Sequence, residues 1–153
     1  MKGKTLGVLG GIGSVIVMLV AMAFGKVAGR AAVDTIYEPD LDKVLVETAS
    51  KMNATLPMMV DKETRLDSTM GGPGKEFTYF YTLPAYASRD LDPAAVQRAI
   101  EPLVRSSVCG NQDMKSLFKV GVTARYIYRA NDNVEVARLS ITPADCGVTP
   151  DRR

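Results

Sequence analysis

Histidine and tryptophan are absent from the 153 residues, and cysteine occurs only twice. Without histidine, the Ser-His-Asp and Cys-His routes of nucleophilic catalysis are closed, and so are histidine-based zinc sites. Two cysteines alone cannot build a structural zinc site, and no CxxC pair is present for thiol–disulfide catalysis. No internal repeat or low-complexity segment occurs. An excess of charge of one sign is also missing. The formal net charge is +2, but four of the 19 basic residues precede residue 31, which leaves 15 against all 17 acidic ones, a net of −2. Lysine and arginine are scattered rather than striped, so nucleic acid is excluded as a partner. Two phosphate-loop lookalikes fail on context: Gly3-Lys4-Thr5 has no upstream glycine or strand, and Gly72-Pro73-Gly74-Lys75 lacks the Ser/Thr and the following helix. No cofactor, metal or catalytic residue is expected.

What the chain does have is Thr5–Phe24, twenty residues without one charge. As a helix this run reaches roughly 30 Å, the thickness of a bilayer's hydrocarbon core. Lys2 and Lys4 precede it, and Lys26 and Arg30 follow. A removed signal peptide is the rival reading, with Ala21-Met22-Ala23 as its cleavage triplet. The run is longer than the usual apolar region of such a peptide, which favours an uncleaved anchor. Within it, Gly7 and Gly11 form a GxxxG, and Gly10 and Ser14 a second pair of small residues. This spacing lets two membrane helices approach closely, although glycine is common in membrane helices generally.

The remainder reads as one modest domain. Tyr37-Glu38-Pro39 breaks the juxtamembrane stretch, and Asp40 can cap a helix to about Asn53 with Leu41, Val44, Leu45, Thr48 and Met52 on one face. Met58–Asp67 alternates as a strand, Met70–Gly74 is a loop, and Phe77–Tyr86 is an aromatic strand. Asp92-Pro93 opens a helix whose buried stripe is Val96, Ala99, Ile100, Leu103 and Val104; Pro102 is expected to kink or divide it. A short helix over about Asp113–Val120 follows, and then a hairpin of Val122–Ala130 and Val134–Thr142 across Asn131-Asp132-Asn133. This order predicts an α+β domain with an antiparallel sheet of about four strands and helices on one face. The boundaries are 1–30 for the anchor, 31–39 for a linker, 40–147 for the domain and 148–153 for a flexible tail.

Three groups of residues are candidates for a role. Cys109 closes the middle helix and Cys146 follows the last strand. In an exported domain they form a disulfide; facing the cytoplasm they remain two thiols. Asp61, Lys62, Glu63, Arg65 and Asp67 are the densest charge cluster, either a stripe for a partner to recognise or a solvated strand with cross-strand ion pairs. Tyr79, Tyr81, Tyr126 and Tyr128 share matching parities on two strands and pave one sheet face, as core or as a binding surface.

At LPMMVDKETRLD (Leu56–Asp67), followed by the aromatic strand and by GVTARYIYRANDN (Gly121–Asn133) between the two cysteines, the chain resembles small bacterial envelope proteins of uncharacterised function. The resemblance covers about Asp40–Gly147. It implies a single span or an exported chain with one α+β domain, and brings no activity with it. The expectation is a protein of the bacterial inner membrane, single-pass through residues 5–24, with its C-terminal domain in the periplasm. There it binds a protein partner of the envelope or a second copy of itself. The alternative is a small periplasmic enzyme or ligand carrier with a pocket between sheet and helices.

Overall fold

The computed structural model describes residues 38–151. The expected anchor with Gly7, Gly10, Gly11 and Ser14, and most of the expected linker, lie outside these residues. Among the described residues, no helix is long and apolar enough to cross a membrane.

Helix α1 spans Glu38–Asn53 and buries Leu41, Leu45, Thr48, Ala49 and Met52, the stripe that a 3.6-residue period selects. The chain then forms β1 (Met58–Met59) and β2 (Arg65–Gly72). The sequence predicts one strand over 58–67, and the structure divides it. Asp61 turns the backbone back on itself, its Oδ1 accepting from the N–H groups of Glu63 and Thr64 at 2.7 and 2.8 Å. Val60 N–H donates to the Thr64 carbonyl at 2.9 Å and closes the turn. A short aspartate that can satisfy local N–H groups outcompetes the alternating pattern here.

The glycine loop is also shorter than the composition suggests. Met70–Gly72 belongs to β2, and the turn into β3 (Glu76–Leu83) is made at Pro73–Lys75. Gly74 at φ 80° and Lys75 at φ 61° carry this turn, whose N–H groups donate to the Asp42 carboxylate of α1.

Helix α2 (Pro93–Gly110) starts on Asp92, whose side chain accepts from Ala94 N–H at 3.0 Å. Pro102 does not divide it. The residue is exposed, so the missing hydrogen bond falls on the solvent side, where water can serve the freed carbonyl. Helix α3 (Gln112–Lys119) is capped by Asn111 and buries Met114, Leu117 and Phe118. Strands β4 (Thr123–Ala130) and β5 (Glu135–Ile141) follow.

The five strands form one sheet in the order β1-β2-β3-β4-β5. It is mixed rather than antiparallel: β3 and β4 run parallel, Glu76 against Thr123 through Leu83 against Ala130. The connection between them carries α2 and α3 and returns the chain to the end where β3 began, which forces parallel pairing. Both expected hairpins are present, as β2–β3 and β4–β5. The three helices of the described residues contribute to one core on one face of the sheet, as expected. Cys109 and Cys146 are joined in a disulfide between the end of α2 and the 3₁₀ turn Ala144–Cys146.

Candidate functional site: the open face of the sheet

The strand pairings decide which side chains meet. Tyr79 pairs with Tyr126 and Tyr81 with Tyr128, so a two-residue period puts all four rings on the same face. That face is the helix-covered one. The rings are 0–1 % exposed and stack with centroids 4.9 to 6.5 Å apart and interplanar angles of 12–25°. Burial pushes the Tyr79, Tyr81, Tyr126 and Tyr128 phenols above their ordinary range, so they stay protonated. These tyrosines are core and present no surface to a partner.

The charge cluster is dispersed by the turn at Asp61. Arg65 and Asp67 sit on β2 and pair with each other, and Asp67 also accepts from the Thr82 hydroxyl of β3. Glu63 accepts from the Tyr86 hydroxyl at 3.0 Å, which raises that phenol. Lys62 is exposed at the tip of the turn, and Asp61 is held inward by its two backbone hydrogen bonds. Asp61 and Glu63 therefore do not continue the Arg65–Asp67 pair as a stripe of alternate residues.

With the tyrosines on one face, their alternate neighbours occupy the other. Cross-strand register places Arg65, Ser68 and Met70 of β2 beside Thr82, Phe80 and Thr78 of β3. These in turn lie beside Arg129, Ile127 and Arg125 of β4, with Arg138 and Ser140 of β5 beyond. No helix of the described residues packs on this face. Its arginines are mostly matched: Arg125 to Glu76 at 2.6 Å and Arg138 to Glu135 at 2.7 Å. Glu135 is held below the usual carboxylate range, first by its hydrogen bond to Arg138. Arg129 differs. Its guanidinium lies 5.5 Å from the centre of the Phe80 ring and donates to Asn133, with Glu135, its cross-strand neighbour, in electrostatic reach but bonded to Arg138 instead. At its centre Ile127, Thr78 and Thr82 are buried and Phe80 half-buried under the surrounding side chains, while Met59 and Met70 stand out at the β2 side, 48 % and 53 % exposed.

Sequence reasoning placed Arg65 and Asp67 on this surface but missed Met70, Phe80, Arg125, Arg129 and Arg138. The signal was present in the alternation: once Tyr79, Tyr81, Tyr126 and Tyr128 are inside, residues 78, 80, 82, 125, 127 and 129 must face out. Chemically the face offers contact surface and hydrogen-bond donors, with no nucleophile–base pair. No group of His, Cys, Asp and Glu that could hold a metal occurs among the described residues.

No family model and no curated protein matches the chain. Three solved structures share its fold. The pilotin EpsS of the type 2 secretion system of Vibrio vulnificus aligns with a TM-score of 0.60 at 15% identity, covering 74% of this chain and 96% of its own. A protein from Pseudomonas aeruginosa described as secreted aligns with a TM-score of 0.59 at 17% identity, covering 71% and 95%. The type II secretion pilotin AspS of Vibrio cholerae aligns with a TM-score of 0.55 at 19% identity, covering 71% and 94%. This chain has the fold of these proteins. Nearly all of each neighbour is matched, so the likeness covers a whole domain rather than a shared helix-and-hairpin fragment.

Proposed function

We propose that the chain is a non-catalytic accessory protein of a secretion assembly in the bacterial envelope. In this reading it works by holding another protein component on the open face of its sheet. The observation that carries the reading is the near-complete match to two type II secretion pilotins. The disulfide adds support, because paired cysteines persist in oxidising compartments and not in the cytosol. The uncharged stretch Thr5–Phe24 then tethers the domain to the inner membrane with residues 40–147 in the periplasm. The resemblance to small bacterial envelope proteins fits the same location.

The test is capture in living cells with a photo-crosslinking residue at Met70 or at Arg129. An envelope component of a secretion assembly is the expected adduct, lost in the double variant Met70→Asp/Arg129→Glu at unchanged melting temperature. Capture that the double variant leaves intact would move the contact off this face, and adducts only to cytosolic proteins would end the proposal. Labelling with a membrane-impermeant maleimide checks the location separately: thiols are expected to appear in intact cells only after reduction.

A further inference from the structure

Four polar atoms, Asp61 Oδ2, Thr64 Oγ1, Tyr81 Oη and Tyr128 Oη, are buried without a partner among the described residues. Their positions are linked. Asp61 Oδ1 is fixed on Glu63 N–H and Thr64 N–H, which leaves Oδ2 as the free acceptor of the same carboxylate. Thr64 is fully buried and lies on the core side of the chain, two residues before Leu66, which pairs with Tyr81. Tyr81 in turn pairs with Tyr128, and their rings stack with centroids 4.9 Å apart. After burial itself, the Asp61 carboxylate is among the charges that raise both phenols, so it lies within their electrostatic reach.

We propose that these four atoms form an internal hydration site, in which ordered water bridges the Asp61 carboxylate to the hydroxyls of Tyr81, Tyr128 and Thr64. One carboxylate oxygen accepts, and three hydroxyls both donate and accept, which is the partner set a buried water takes. A dry arrangement would leave four desolvated polar groups within a few residues of one another, each costing stability. The site gives the 60–64 turn a polar anchor into the core, in addition to the Asp61 Oδ1 bonds within the turn and the Glu63–Tyr86 bond at its surface.

The sign of a conservative substitution decides the matter. A tyrosine hydroxyl that is buried dry destabilises, so its removal raises the melting temperature; one that binds bridging water stabilises, so its removal lowers it. Tyr79 is the internal control, because its hydroxyl is also without a partner among the described residues but its strand position, opposite Thr69, lies farther along β2 from the Asp61 turn than that of Tyr81, opposite Leu66. In the full chain, Tyr81→Phe and Tyr128→Phe are each expected to lower the melting temperature by roughly 4 °C or more, while Tyr79→Phe leaves it unchanged or raises it. In an Asp61→Asn background the penalty of Tyr128→Phe should shrink to less than half. Neutral or stabilising Tyr81→Phe and Tyr128→Phe variants would overturn the proposal, and so would penalties that simply add to that of Asp61→Asn. The wild-type melting temperature should be indifferent to replacing sodium or potassium by tetramethylammonium at fixed ionic strength. Dependence on the small cation would mean that an ion, not water, occupies the site.

Discussion

Beyond the two-residue β1, where β2 becomes the edge of the sheet, the backbone of α1 lies directly on the strand, whereas the edge of β5 is met by a side chain of α2. Gly71 makes the first arrangement possible: a Cβ there would stand 2.3 Å from the carbonyl carbon of Leu45 and 2.5 Å from its oxygen. Two residues earlier, Asn53 of α1 serves β2 as a neighbouring strand would. Its Oδ1 accepts from Thr69 N–H at 2.7 Å and its Nδ2 donates to the Thr69 carbonyl at 2.9 Å. On the opposite edge, Gln97 of α2 accepts from Arg138 N–H at 3.0 Å and Asp145 from Thr142 N–H at 2.8 Å. What holds that side in addition is the disulfide between α2 and the chain just after β5. An unpaired strand edge invites pairing with other chains, and this molecule closes one by shape and the other with side chains and a covalent tie.

The contrast is open to direct attack. The largest expected effect is on the β5 side. Replacing Cys109 and Cys146 by serine releases the constraint on a 37-residue separation and should cost about 4 kcal/mol in chemical denaturation on the chain-entropy account. If the β2 edge is closed independently, hydrogen exchange at Thr69 should stay protected in this variant while Arg138 loses protection. Next comes Gly71→Ala, expected to cost about 3 kcal/mol, because the Leu45 and Val46 atoms it would meet are helix backbone that cannot step aside. Its loss of protection should be confined to α1 and β2. Asn53→Ala removes both partners of Thr69 and is expected to cost about 2 kcal/mol. Gln97→Ala is the mildest, about 0.5–1 kcal/mol, since the exposed Arg138 N–H can turn to water.

Acid sharpens the same comparison. The Asp145 carboxylate is held down to about 2, first by Thr142 N–H and then by the Arg105 guanidinium. Its folded value lies below the ordinary one near 3.9. The stabilisation it confers is therefore complete above the ordinary value and is lost as the pH falls from about 4 towards 2. Thermal melts across that range should show a loss that Asp145→Asn removes, with exchange at Thr142 accelerating before exchange at Thr69. Simultaneous loss at both edges would mean that they are coupled.

Long apolar periods were the legible part of the sequence. Val96, Ile100 and Val104 and the Leu41–Met52 stripe fixed two helices, Asp92-Pro93 fixed a start, and the parity of the tyrosines put the four rings on one face, leaving open whether that face was core or surface. The cysteines, read as a pair at element ends, are a pair. What stayed hidden depends on groups distant in the chain. Alternation over 58–67 could not reveal that Asp61 would satisfy two backbone N–H groups and end a strand after two residues. Gly71 looked like part of a loop, because nothing in its neighbours tells that a helix backbone will lie against it. The parallel pairing of β3 and β4 follows from the path of α2 and α3, which no local pattern encodes. The open face was missed for a related reason: Phe80 and Ile127 look like core until Tyr79 and Tyr126 have claimed it.

The stacked tyrosines have one more consequence, an optical one. Four phenol rings lie almost parallel and within 4.9 to 6.5 Å of a neighbour, and the chain holds no indole to mask them. Their near-ultraviolet transitions couple, so the folded domain carries its own circular dichroism band. That band depends on ring geometry rather than on backbone content. A state that keeps its helices but loosens its interior would lose the band while the far-ultraviolet spectrum stayed the same. The molecule thus reports the order of its own core without any label.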